Sequence, residues 1–367
     1  LVAGGLPGAA LAPPAAPQTP APSDEDPDRP QYVETVDVVG VTPIHGLGVP
    51  RDQVPANVQS ATAADIARTP GTHVGDVLAG LSSVHLNEAQ TNPFQPDIQF
   101  RGFAASPLLG LPQGLAVYQD GVRVNEPFGD TVNWDVLPTN AIASINLMPG
   151  SNPLFGLNAL GGALSVQTKT GFTHPGHAAS LFAGSFGRTW ADVQTAGHGD
   201  RLSYFVTTRL LGEDGWRDFS ESRIRQLFGN VEWRGGPATV TLAVTAGSNR
   251  LIGNGAAPEA LLEVDRAAVF THPDRTETEV GLVTLVARRV AGPRLVFDGV
   301  LFYRPATIRT FNGDDTAYEP CDDEDLGGLL CVEDDDEAVV NQFGACACTL
   351  WPTMRASGLQ PNLFAVD

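Results

Sequence analysis

The sequence predicts an α+β domain followed by antiparallel transmembrane β-strands, and three observations predict it. Between Asp97 and Gly171, short apolar or alternating runs are closed by Gly, Asp-Gly or Gly-Gly, the punctuation of strands packed in one compact domain. From Gly176 onward the runs lengthen, alternate apolar with polar residues, and are joined in turn by tight turns and long loops. No run approaches the roughly 18 uninterrupted apolar residues of a membrane helix, whereas barrel strands need only about ten alternating residues each.

Composition agrees with this division. With 40 Gly and 29 Pro in 367 residues, 17% charged and 42% hydrophobic, the chain suits more than one domain with many turns. A net charge of −20 argues against nucleic acid, because phosphate binding needs clustered Lys and Arg. Residues 1–12 are small and apolar and read as the remnant of a cleaved signal peptide. Residues 13–31 are Pro-rich with Asp24, Glu25, Asp26 and Asp28, too poor in apolar surface to fold, and read as a disordered linker. Residues 32–41 then form a short β-favouring run, Tyr-Val-Glu-Thr-Val-Asp-Val-Val-Gly-Val.

Between Val54 and Val84 the order strand, helix, strand is expected. Thr62 opens a short helix through Arg68, and Thr72 caps a second through Leu81, with Val74, Val77, Leu78 and Leu81 at helical spacing. Three motifs follow: Asp97-Ile98-Gln99-Phe100-Arg101-Gly102-Phe103, then Val117-Tyr118-Gln119-Asp120-Gly121-Val122-Arg123-Val124-Asn125, then Leu154 to Lys169 with Gly156, Gly161 and Gly162. In order and spacing they resemble the plug domain of TonB-dependent outer-membrane receptors, which write an "IRG" strand, a "DGV" turn and a "YG…A-x-GG-V-I-x-I-x-T" closing strand. One departure is that Ile145 to Gly150 lacks the acidic residue and Arg that the family places before the last motif. The motif residues carried over are Arg101, Gly102, Asp120, Gly121, Arg123, Gly156, Gly161 and Gly162. Arg101 and Asp120 read either as charges paired inside the domain, since a lone buried charge is costly, or as an ordinary surface pair.

The resemblance implies a plug over residues 50–172 and a TonB box at residues 32–41, where Glu34, Thr35, Val36, Asp37, Val38 and Val39 would add as a strand to TonB. Main-chain bonds would supply the affinity of such pairing. The alternative is that Val33 to Val41 is simply the first plug strand.

The N-terminal part of the barrel is expected over residues 176–340. Seven strands are predicted at 178–186, 189–196, 202–211, 224–233, 239–246, 278–290 and 295–303, with long loops at 212–223, 247–277 and from Arg304 to about Val339. Plugged barrels hold roughly 22 strands, so about seven read as the front part of a longer, incomplete barrel. Residues 341–367 form an irregular tail without strand alternation.

Other chemistry is sparse. Cys346 and Cys348 offer two thiols without a His partner, the seven His are scattered, and Ser185 lies in a turn with no acid or His arranged around it, so no enzyme is expected. Asp314 to Glu337 holds twelve carboxylates and no Lys or Arg and encloses Cys321 and Cys331, expected to form a disulfide in an exported protein. That acidic segment reads as a solvated loop, with calcium as the alternative occupant and no other cofactor. The resemblance implies TonB-dependent uptake across the bacterial outer membrane of a scarce solute, with ferric siderophore foremost and cobalamin or another complex after it. The partners implied are TonB with its inner-membrane energising complex, outer-membrane lipid and an unidentified solute. A surface adhesin or a passive porin with a structural plug is the alternative.

Overall fold

A computed structural model describes residues 38–40, 48–50, 56–69, 73–87, 92–136, 138–253, 255–292, 295–311, 313, 318–320, 330–332 and 335–338. The signal remnant, the linker, Glu34 to Asp37 of the expected TonB box and the tail lie outside these residues.

The first elements are β1 (Val38–Gly40) and β2 (Gly48–Pro50), paired antiparallel with Val39 opposite Val49. Next come β3 (Gln59–Thr62), α1 (Ala63–Arg68) and α2 (Val74–Leu78). Thr62 caps α1 as expected, its hydroxyl accepting from Asp65 N–H while Asp65 Oδ2 accepts from Thr62 N–H at 2.9 Å. The second helix is shorter than the apolar spacing predicts: it is capped at His73 and ends at Leu78, because Gly80, a poor helix residue, interrupts it before Leu81. Thr72, the expected cap, lies outside the described residues.

Two small sheets follow. One comprises β4 (Val84–Asn87), β5 (Asp97–Phe100) and β6 (Phe103–Ala105). The other has the order β3-β9-β10-β7-β8, where β7 is Leu115–Gln119, β8 Val122–Arg123, β9 Ile142–Pro149 and β10 Gly162–Thr168. Its middle strands are buried on both faces, which explains their near-continuous apolar runs: Leu115, Val117, Leu164 and Val166 share a core with Val77 and Leu78 of α2 and with Ile98 and Phe100 of β5, while Ala116 and Ala163 pack with Tyr118, Met148 and Phe155. Each fully buried Leu, Ile, Val or Phe there contributes roughly 1.5–3 kcal/mol.

The barrel strands are β11 (Gly176–Ala183), β12 (Thr189–His198), β13 (Leu202–Glu213), β14 (Ser222–Gly235), β15 (Ala238–Ile252), β16 (Arg275–Gly292), β17 (Leu295–Tyr303) and β18 (Ala306–Phe311). Strands β11 to β17 pair antiparallel in chain order in one sheet, and β18 pairs with β16. Strand β18 corrects an expectation: the loop predicted from Arg304 does not begin there. Val283 opposes Tyr303 and Val280 opposes Ala306, so β17 and β18 pair with β16 in a single register. Pro305 breaks the ladder only because it lacks an N–H, while its carbonyl still accepts from Gly281 at 2.9 Å. They are one spanning strand, the seventh.

Strands also outrun their predicted ends, β15 reaching Ile252 and β16 starting at Arg275, because the hydrogen-bond ladder continues where hydrophobic alternation has stopped. Within the 253–274 connection a helix, α3 (Glu259–Val264), was not anticipated, although Pro258 before Glu259 in the first turn is a helix-start signal. The acidic segment, expected as a loop, contains a three-stranded sheet of β19 (Tyr318–Pro320), β20 (Leu330–Val332) and β21 (Asp335–Ala338).

Candidate functional site

Alternation decides what each barrel strand offers. On β13 the residues Ser203, Phe205, Thr207, Leu211 and Glu213 are buried, while Leu202, Tyr204, Val206 and Leu210 between them are exposed. Strand β14 repeats this with Gln226, Phe228, Asn230 and Glu232 inside and Leu227, Val231 and Trp233 outside. One face is thus apolar and suited to lipid, and the other carries amides and hydroxyls.

The compact domain sits against that polar face. Asn92 Nδ2 donates to Ser222 Oγ at 3.1 Å and to the Ile252 carbonyl at 2.9 Å. Gln119 Nε2 donates to Thr245 Oγ1 at 2.8 Å, Asn140 Nδ2 to Thr207 Oγ1 at 2.7 Å, and Asn230 Nδ2 to the Lys169 carbonyl at 2.7 Å. Arg304 grips Glu126 with two bonds, Nη1 to Oε2 at 2.9 Å and Nη2 to Oε1 at 2.6 Å. Asp135, in the turn Trp134–Val136, accepts on Oδ2 from Asn249 Nδ2 at 2.9 Å, and its carbonyl accepts from Gln226. Among the described residues, two buried apolar clusters cross the seam: Phe94 with Leu211, Ile224 and Leu251, and Ala141 with Phe205, Phe228, Ala196 and Ala243.

Topology orients the domain between the two ends of the barrel strands. Tight turns such as Gly236-Pro237 lie at the end where β10 leads into β11, and the long 214–221 and 253–274 connections lie at the other. Because β10 runs toward the tight-turn end and β7 is parallel to it, the starts of β7 and β10 point to the long-loop end. Loops 106–114, 124–131 and 150–161 therefore form an apex beneath the long loops.

The motif residues build that apex. Arg123 joins its loops, Nη1 donating to the Leu157 carbonyl at 2.7 Å and Nη2 to Asp130 Oδ1 at 2.8 Å, while Asn158 Nδ2 reaches Asp130 Oδ2 at 2.7 Å. Gly162 is required at φ +141°, and a Cβ there would collide with the Met148 carbonyl. A Cβ on Gly161 would lie 2.5 Å from Phe103, so this Gly-Gly lets β10 close on β9 and on the "RGF" turn. Asp120 and Gly121 carry φ of 47° and 82°, the turn between β7 and β8, and Asp120 Oδ1 accepts from Thr168 N–H at 2.9 Å. The reading of Arg101 as a charge paired inside the domain is corrected: it is exposed, its guanidinium 5.0 Å from the Phe100 ring centroid. Gly102 beside it and Gly156 also have positive φ. Where the family places a charge before the last motif, Asn146 accepts from Ser60 Oγ at 2.7 Å.

At the apex surface Leu109, Phe128 and Leu157 are 59, 79 and 85% exposed, whereas Glu126 and Asp130 are engaged by Arg304 and Arg123. The seam and the apex are thus brought together by residues that sequence reasoning largely missed. Inward Gln, Asn and Thr at every second strand position were the available signal. Of the expected TonB-binding residues, Val38 and Val39 lie in β1 and the others are outside the described residues; Cys331 lies in β20, opposite Glu319, and Cys321 is outside them.

Residues 50–163 match the family model described as the TonB-dependent Receptor Plug Domain. The vitamin B12 transporter BtuB of Vibrio vulnificus (strain CMCP6) is 26% identical over 166 residues, 45% of this chain and 26% of that protein. Among solved structures, the ferric citrate transporter FecA in its unliganded form superposes with a TM-score of 0.61 at 15% identity, covering 72% of this chain and 42% of that one. BauA, the ferric preacinetobactin receptor from Acinetobacter baumannii, gives 0.59 at 14% identity, covering 75% and 41%. The chain therefore spans about a quarter of the curated relative's length and about two fifths of each solved receptor's. These relatives are transport receptors.

Proposed function

Because the chain belongs to the TonB-dependent receptors of the bacterial outer membrane, carrying their plug domain and the first strands of their barrel, we propose that the whole protein actively imports a scarce solute. The observation that carries this reading is a plug held by side-chain hydrogen bonds to the polar face of strands whose other face is apolar. Such a seat closes the lumen yet exchanges readily with water when the plug moves.

The solute we favour is a ferric siderophore, with cobalamin second. An apex of exposed Leu and Phe supports a bulky complex that presents organic surface to the plug. Glu34 to Val39 is the segment we assign to TonB, which would supply the pull. Backbone pairing of Val38–Gly40 with Gly48–Pro50 supports strand addition there, since a segment that already forms one ladder has the conformation another requires.

The test is growth of a strain lacking the full-length protein on single ferric siderophores, cobalamin or glycans as limiting sources. Loss of growth on one ferric siderophore, restored by the wild-type gene, is expected. Normal growth on every source, or uptake that persists after the proton gradient is collapsed, refutes energised import and points to a passive porin or an adhesin.

A further inference from the structure

One carboxylate in the seam has no cation to balance it. Asp135 is 2% exposed. Asn249 Nδ2 donates to both its Oδ2 and its carbonyl at 2.9 Å, Gln226 Nε2 also donates to that carbonyl, and the Thr278 hydroxyl lies beside the carboxyl. Three buried oxygens at this place, Asp135 Oδ1, Gln226 Oε1 and Thr278 Oγ1, find no partner beyond the contact of the Thr278 hydroxyl with the carboxyl.

Counting donors shows the shortage. The side-chain amides of Asn249 and Gln226 both donate to Asp135, and the Thr278 hydroxyl has one proton for more than one neighbouring acceptor. A proton on Asp135 turns one surplus acceptor into a donor and removes an uncompensated buried charge. Among the described residues the cations that touch the 131–141 segment are engaged elsewhere: Arg209 of β13 donates to Thr139 Oγ1 and is paired with Asp192, and Lys169 donates to the Asn140 carbonyl at 3.0 Å. Strands β14, β15 and β16 face this turn with Gln226 and Phe228, Thr245 and Asn249, and Thr278 and Val280, none of them charged. On the plug side Glu126 opposes a second negative charge, and Arg304 is already engaged by Glu126.

We propose that the seam contains a proton-binding site: in mildly acidic medium the seated plug holds Asp135 as a neutral acid, and lifting the 131–141 segment from the wall lets that proton pass from the carboxyl to water. Burial supports this by pushing the Asp135 carboxyl up to about 6 from 3.8. The sign follows from that direction. Seating is favoured by the site in full below the ordinary value and loses this contribution as pH rises through about 6.

The test is amide hydrogen exchange of residues 131–141 in the full-length receptor at pH 5 and 7.5, corrected for intrinsic rates. Opening should be about tenfold more frequent at pH 7.5, from the two carboxyl values above. Asp135→Asn should abolish that dependence, and a wild type without it, or an Asp135→Asn protein that keeps it, overturns the proposal. Thr278→Val provides a second reading if Asp135→Asn does not assemble: losing a hydroxyl that favours the ionised form should move the midpoint to higher pH, and an unmoved midpoint also overturns the proposal.

Discussion

Replacing Arg304 with Met asks how much of the plug's seating rests on one ion pair. Arg304 and Glu126 side chains are 12 and 9% exposed, and their bonds of 2.6 and 2.9 Å are bidentate. The substitution keeps apolar volume but leaves Glu126 with only the Asn133 amide, at 3.0 Å, as a side-chain partner. Breaking a buried pair on one side costs about 3–5 kcal/mol. Since Asn133 remains, the lower figure applies, and about 3 kcal/mol multiplies the unseated population by somewhat over a hundred. Removing both partners, as Arg304→Met with Glu126→Leu, should return seating to within about 1 kcal/mol of wild type, because no orphaned charge is left. A thiol introduced as Val132→Cys, at a position 2% exposed in the seated plug, reports the opening through its labelling rate in the full-length receptor. Labelling unchanged by Arg304→Met, or as fast in the double variant as in the single one, would refute the reasoning.

Three further outcomes are expected. Gly162→Ala should cost several kcal/mol, about 3 or more, and leave little assembled receptor in the membrane fraction, because its Cβ meets the Met148 backbone and φ is +141°; wild-type abundance contradicts this. Val36→Pro should abolish energised uptake and leave surface binding of the solute intact, while Val36→Ala is nearly silent, since strand addition depends on backbone donors; normal uptake by the Val36→Pro strain sinks the TonB-box assignment. Cys321 and Cys331 should resist alkylation until reduced, with the bond worth roughly 2–4 kcal/mol to its local loop, and free thiol at both positions excludes it.

How legible the fold was depended on whether local chemistry set the outcome. Gly161-Gly162 and Asp120-Gly121 are visible in the sequence because their backbone demands admit few other residues, and the seven barrel strands are visible because lipid on one face enforces alternation. Strand ends were not visible: above the apolar band Asn249 and Arg250 stay in the ladder through backbone pairing and polar side-chain bonds, to Asp135 and to Glu277, which leave no hydrophobic trace. Pro305 misled for the opposite reason, since its missing donor looks like a strand end although the register continues past it. The seam was the least legible part. Asn92 meets Ser222 from 130 positions away, and nothing in either local sequence records the other.

The chemistry of the seam fits a plug that must be held and released. A seam closed by apolar packing would gain about 25 cal/mol for each Å² buried and return that cost in full when opened. Here Asn140 on Thr207, Gln119 on Thr245 and Asn230 on the Lys169 carbonyl each contribute only about 0.5–1.5 kcal/mol net, because water replaces either partner on separation. Register comes from geometry and the barrier stays modest. The two apolar contacts then act as anchors, Phe94 at the long-loop end of β13 to β15 and Ala141 against Phe205 and Phe228 lower down, with hydrogen bonds spaced between them. Under the proposed function, a force that begins at the N-terminal side of the plug would break these bonds one after another and meet buried apolar clusters at Phe94 and Ala141.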